Sequence, residues 1–249
     1  MNSKYLYLLL PLYWLACRPA VPPGIDMTSK TLRYQTPDCQ PERDPCLMVD
    51  LVFPVFTGDD SLAVQQAASE IYDLYFDVLG QQGNQAAPDE NGLMQAVATM
   101  AKTFDDYRHD YPDDHTGWQV NIEANELYRN DTLLTVAVNS FWFFGGAHGN
   151  YEVHYYNINR QSGSLLSPEG LVSDLQALRK QAEEIFRQKY LPDGTNDWEK
   201  AGFSFNGNTF QLPQNMAFAG DSIILHYNQY EIAPYAAGDF HFSVPIGRD

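Results

Sequence analysis

The sequence predicts an α+β fold in which antiparallel sheet is packed by about three helices. Three observations carry that prediction. Apolar residues recur every three or four positions in three separate segments. The apolar period falls to two in the middle of the chain, and the connections between segments are short and local.

Residues 31–35 read as a short strand. Residues 47–56, rich in Leu, Val and Phe, read as a longer one with a bulge or free edge at Pro54, which has no N–H to give a neighbour. Val64, Ala67, Ile71, Leu74 and Val78 then step 3, 4, 3, 4 and define one buried helix face. Asp59, Asp60 or Ser61 is placed to cap that helix, and Gly80 and Gly83 to end it. A second stripe, Leu93, Val97, Met100, Phe104 and Tyr107, predicts a helix from about 93 to 107, stopped by Pro112.

Trp118, Val120, Ile122 and Ala124 alternate with polar neighbours, as a half-buried strand requires. After a turn at Asn130-Asp131, Leu134, Val136, Val138 and Ser140 lie on one face and Leu133, Thr135, Ala137 and Asn139 on the other. A third strand over 151–159 completes a meander. Ser173 and Gln176 fit a capping box ahead of a helix whose face is Leu175, Leu178, Ala182, Ile185 and Phe186, ending near Tyr190. Beyond it, 210–212, 217–218, 222–227 and 241–244 read as strands. The organisation expected is a signal peptide (1–16), a Pro-rich tether (17–29), an N-terminal α+β half (30–144) and a C-terminal α+β half (145–249).

Residues 5–16 are apolar apart from the break at Pro11, too short to span a bilayer and suited to the core of a secretory signal. Ala16-Cys17 resembles a bacterial lipobox, which would make Cys17 the acylated mature N-terminus; Trp14 departs from the pattern, and a cleaved signal beside an ordinary Cys is the alternative. Several acyl chains would hold the protein firmly in the cell envelope. Arg18 is not the retention signal Asp, which leans towards the outer membrane. Cys39 and Cys46 bracket a polar loop with two prolines. In an oxidising compartment they are expected to form a disulfide rather than a metal pair, because the spacing is not CxxC and no His lies near.

The formal charge of −17 repels nucleic-acid phosphates and anionic lipid headgroups and would attract cationic partners, while the charge taken alone is accounted for by plain solubility. Catalytic motifs are missing: there is no GxSxG, SxxK or phosphate-cradling Gly-rich loop. The six histidines, at 109, 115, 148, 154, 226 and 241, follow no zinc-binding spacing, and the acidic run from Asp105 to Asp114 lacks the register of a calcium loop. Neither a metal nor another cofactor is expected.

Two runs remain. Gly145-Gly146-Ala147-His148-Gly149-Asn150 follows an aromatic strand, and its glycines permit left-handed backbone with His148 at the tip. Gln229-Tyr230-Glu231-Ile232-Ala233-Pro234-Tyr235-Ala236-Ala237-Gly238 presents two tyrosines around a proline turn. Together, with a strand and the third helix between them, they resemble a paired extracytoplasmic module of unknown function. That module is found in lysozyme-sensing anti-sigma factors and ahead of the catalytic domain in certain peptidoglycan deacetylases. The resemblance is close over 145–246 and one of layout over 31–144.

The resemblance implies an α+β module that recognises something in the cell envelope, lysozyme in the case of the anti-sigma factors. It carries no catalytic residues onto this chain. The chain shows no sigma-binding segment, no transmembrane helix and no stretch for a deacetylase domain, so a free-standing lipoprotein version is the expectation. Its ligand, a lysozyme-like cationic protein or a peptidoglycan fragment, would be received by Gly145, Gly146, His148, Gly149, Asn150, Tyr230, Glu231 and Tyr235. An enzyme acting on cell-wall glycan or peptide, and a structural or assembly lipoprotein, are the alternatives.

Overall fold

The computed structural model describes residues 24–81, 86–191, 195 and 197–247. The segment read as a signal peptide and Cys17 lie outside the described residues. The class is α+β: the described residues form a five-stranded sheet and a three-stranded sheet, with three long α-helices and a short one. No helix among the described residues is long and apolar enough to cross a membrane.

The first sheet is β1 (Asp26–Gln35), β2 (Leu47–Thr57), β3 (Trp118–Arg129), β4 (Leu133–Phe143) and β5 (Asn150–Asn159), in that spatial order. β1 begins earlier than the sequence predicts and reaches into the segment read as a tether. Arg160 causes this: its guanidinium donates to the Ile25 carbonyl and to Asp26, and its own carbonyl accepts from the Ile25 N–H. Cys39 and Cys46 form the expected disulfide across the β1–β2 loop, with Cα atoms 5.9 Å apart.

One pair corrects the all-antiparallel expectation, because β2 and β3 run parallel. Between them lie α1 (Ser61–Val78) and α2 (Glu90–Asp110), and a connection that crosses over a sheet face returns the chain in the same direction. The parallel ladder stops at Val52 opposite Glu123, while β2 continues to Thr57 against β1 alone. Pro54 therefore stands where one side of β2 has no neighbour, as its missing N–H demands. The carbonyls freed there are taken by α1, Tyr75 donating to Val52 and Tyr72 to Pro54.

Asp60 caps α1 by accepting from the N–H groups of Leu62 and Ala63, and Asp89 caps α2, which is longer at both ends than its stripe predicts. The two helices bury their stripes on one face of the sheet, where Ile71, Tyr75, Leu93 and Phe104 meet Leu47, Leu51, Phe53, Val120, Ile122 and Val136.

After β5 come α3 (Pro168–Leu171), α4 (Leu175–Tyr190) and the second sheet, β6 (Met216–Phe218), β7 (Ser222–Tyr227) and β8 (Phe240–Pro245). The cap of α4 is Asp174, not Ser173. Asp174 accepts from the N–H groups of Gln176 and Ala177, so the Ser173–Gln176 box does not form. Residues 210–212 are not a strand; Phe210 is drawn into the second core and the Gln211 carbonyl accepts the Tyr227 hydroxyl.

That second core is aromatic and centres on Phe186 of α4. Its ring lies 4.8–5.8 Å from those of Tyr190, Trp198, Phe203 and Tyr227, in tilted or edge-to-face packing. We predict that Phe186→Ala destabilises the chain by about 3–5 kcal/mol, read by urea unfolding, because no neighbouring ring can fill the space without losing its own contacts.

Candidate functional site

The C-terminal sheet is fastened to β5, the last strand of the first sheet, by side-chain amides. Asn228, just after β7, accepts from the Val153 N–H at 2.9 Å and donates to the Val153 carbonyl at 3.0 Å. Asn215, just before β6, accepts from the Tyr155 N–H and donates to the same Val153 carbonyl. Asn157 of β5 reaches back, accepting from the Phe218 N–H and donating to the Met216 carbonyl. These bonds close the open edge of β5 and set the loops of the second sheet against the loop that precedes β5.

The two motif runs meet there. Gly145 and Gly146 both take φ +101, which a side chain would oppose, and turn the chain out of β4. Gly149 lies flat on Phe141, whose ring a Cβ would strike. His148, exposed between them, stacks on Tyr235 with ring centroids 3.7 Å apart and planes at 15°. The Tyr235 hydroxyl donates to the Gly149 carbonyl at 3.0 Å, and His148 Nδ1 lies 3.0 Å from that same oxygen. Asn150 starts β5 opposite Trp142.

Tyr230 completes the cluster, its ring 5.4 Å from Tyr235 and its hydroxyl 3.5 Å from His148 Nε2. It is 63% exposed and holds φ +67, a left-handed conformation that a bulky side chain adopts only at a cost. The turn that imposes it is closed by the Glu231 N–H donating to the Asn228 carbonyl, while Glu231 Oε2 accepts from the Asn228 N–H. The result is an aromatic ledge of His148, Tyr230 and Tyr235 with glycine backbone beside it. Nothing in it is arranged as a nucleophile with its base.

Desolvation raises the Glu231 carboxyl above its usual range, over the opposing pull of the Asn228 N–H and of His154.

A polar groove lies near the ledge, on the face of the first sheet opposite α1 and α2. Arg33, Asp50, Asn121, Glu123, Asn139 and Tyr151 line it, around a volume of about 380 Å³. Arg33 is bonded to Asp50 at 3.0 Å and Tyr151 to Asn139 at 3.2 Å. The alternation of β3 and β4 shows which residues leave the core, but not that they share a groove.

A further cluster departs from the expected dispersal of the histidines. His226 of β7 sits in register opposite His241 of β8, with Asp239 between them. His226 is 3% exposed, neither of its ring nitrogens has an aligned hydrogen-bond partner, and burial lowers its pKa to about 4 against the pull of Asp239. Asp239 stands two residues before His241, but His226 joins them only through the pairing of β7 with β8, which no short spacing in the sequence reveals. Strands expected at 222–227 and 241–244 were the available signal.

Two family models match the chain in tandem. Residues 41–151 match the model described as Deacetylase PdaC, and residues 164–247 match Protein of unknown function (DUF3298). The two halves of the module that the motifs resemble are thus matched in order along the chain. Solved structures of DUF3298 family proteins share the fold. One from Bacteroides fragilis has a TM-score of 0.63 at 18% identity, covering 90% of this chain and 92% of its own. One from Pseudomonas aeruginosa has a TM-score of 0.57 at 20% identity, with the same coverages. No curated protein matches the chain.

Tyr230→Gly is expected to stabilise the chain by about 1 kcal/mol in urea unfolding, because glycine relieves the left-handed backbone while the exposed ring forfeits little burial. Glu231 supplies a pH dependence. Its native pKa is raised, so its contribution to stability is full below about pH 4.5 and is lost as pH climbs through the raised value. Glu231→Gln should flatten that fall in a series of unfolding curves above pH 4.5. The slope removed is small, since the residue keeps much of its surface in water.

Proposed function

We propose that this protein is a non-catalytic, lipid-anchored component of the bacterial cell envelope that binds a cationic protein of the lysozyme class. The binding surface is the ledge of His148, Tyr230 and Tyr235. The observation that carries this reading is the convergence of two distant runs into one exposed aromatic surface, with a tyrosine held in a costly backbone conformation at its rim. Aromatic side chains of this kind anchor protein interfaces because they offer large rigid surface with a polar tip. The formal charge of −17 supports a basic partner by steering its approach. Cys17 would supply the anchor, and export would place the module where such a partner is met.

The polar groove favours a second reading, a peptidoglycan fragment as ligand. Asparagines and carboxylates beside Tyr151 match the hydroxyls and the apolar ring face of a sugar, and the volume lies in the range of small-molecule sites. The model described as Deacetylase PdaC matches residues 41–151, which supply most of the lining of this groove. Binding is the simpler use of this groove, because Asp50 is held by Arg33 rather than left free for proton transfer.

The test is a titration of the full-length chain in mild detergent with lysozyme at low and moderate salt. Affinity that survives moderate salt, and that falls by about tenfold or more in His148→Ala and Tyr235→Ala, is expected. Binding that disappears with salt, or that both variants retain, would overturn the ledge as the lysozyme site, since screened charge attraction alone explains it. Peptidoglycan fragments titrated against Tyr151→Ala and Asn121→Ala examine the groove separately.

A further inference from the structure

Asp239 Oδ2 stands between two imidazoles, 3.3 Å from His226 Nε2 and 3.1 Å from His241 Nδ1. One ligand atom from each of the three residues lies within 4.8 Å of the other two. In a tetrahedral zinc site with bonds of about 2.0–2.1 Å, neighbouring ligand atoms stand about 3.3 Å apart. The two short edges of this triangle therefore already have the required size, and closing the third needs only a small movement of the exposed His241.

We propose that His226, Asp239 and His241 form a binding site for a divalent transition metal of the zinc class. The proposal is independent of what the aromatic ledge binds.

His226 gives the decisive reason. It is buried to 3% exposure, yet neither ring nitrogen has an aligned hydrogen-bond partner among the described residues. A buried polar group without a well-aligned partner costs up to about 1–3 kcal/mol, and a metal at Nε2 would replace the misaligned 3.3 Å approach to Asp239 with a direct bond. The imidazole is held in place by the edge of the Tyr155 ring, 5.9 Å away, and by His241, whose ring lies 5.6 Å off at 23°. The side chains of Asp239 and His241 are 30% and 63% exposed, so the ion has an entry path and keeps coordination positions for solvent or an incoming donor.

Two imidazoles and one carboxylate select zinc, cobalt, nickel or copper over calcium and magnesium, which prefer sites made of oxygen alone. The backbone gives the site a consequence. Asp239 follows Gly238, which at φ +79 ends the single 3₁₀ turn Tyr235–Ala237. A metal bound here would tie β7, β8 and that turn together, and so fix the position of Tyr235 on the ledge.

The test uses the untagged full-length chain in mild detergent, stripped with a chelator and titrated with Zn²⁺ against a chromogenic competitor. A single equivalent of bound zinc is expected. Its affinity should fall at least about 10-fold in His241→Ala and in Asp239→Asn and stay unchanged in His109→Ala, a histidine on α2. His241 is exposed, so its variant tests the site without endangering the fold. Co²⁺ in place of zinc should give the visible absorption of a four- or five-coordinate ion in the wild type and lose it in both ligand variants. Failure to retain zinc, or wild-type affinity in both His241→Ala and Asp239→Asn, overturns the proposal. Equal competition by Mg²⁺ would overturn the assigned metal class.

Discussion

Three asparagine carboxamides hold this molecule together at the point where its function is proposed to lie. β5 ends the first sheet, and the outward N–H and C=O groups of Val153 and Tyr155 would otherwise invite another strand. Asn228 answers Val153 with its own amide and carbonyl, as a neighbouring peptide group would. Asn215 spans Val153 and Tyr155, and Asn157 returns the bond to Phe218 and Met216. Each such bond is worth only about 1 kcal/mol net, but leaving one half unpaired in a buried seam costs more, so the set acts together. Because Asn228 also opens the turn that carries Tyr230, the seam fixes where the ledge stands relative to His148.

Aromatic residues serve two opposite purposes in the C-terminal half. Around Phe186 they pack edge to face and exclude water, giving a small three-stranded sheet the core it could not assemble from aliphatic residues alone. At the ledge the same residue types stay in solvent, and the backbone bends to put them there: glycines at φ +101 on one side, Tyr230 at φ +67 on the other. Local preference is obeyed in the core and violated at the surface, the pattern expected where a site and not stability dictates the geometry. The His226–Asp239–His241 cluster repeats it, with a polar ring buried beside an otherwise well-satisfied sheet.

The elements legible in the sequence were those whose signal is local. The stripes of α1, α2 and α4 appear as helices because 3.6-residue periodicity needs no partner to define it, and Pro54 correctly marked a strand with one free side. The disulfide was readable because two cysteines closed one short loop. The cap of α4 was misassigned by one residue, since Ser173 and Asp174 are both good cap acceptors and their order in the chain does not choose between them. Phe210 looked like a strand residue and became a core plug, because an apolar residue beside a polar one carries the same local signal in either setting.

By itself the sequence determined the α+β class, the order of helices and the meander, the disulfide pair, and the two runs that mark the ledge. Each of these is written in spacing along the chain. The tertiary structure decided what depends on which strand lies beside which: the parallel β2–β3 pair, the amide seam on β5, the stacking of His148 on Tyr235 and the meeting of His226 with His241. Those contacts join residues far apart in the chain through strand register and side-chain reach, and no periodicity or short motif encodes either.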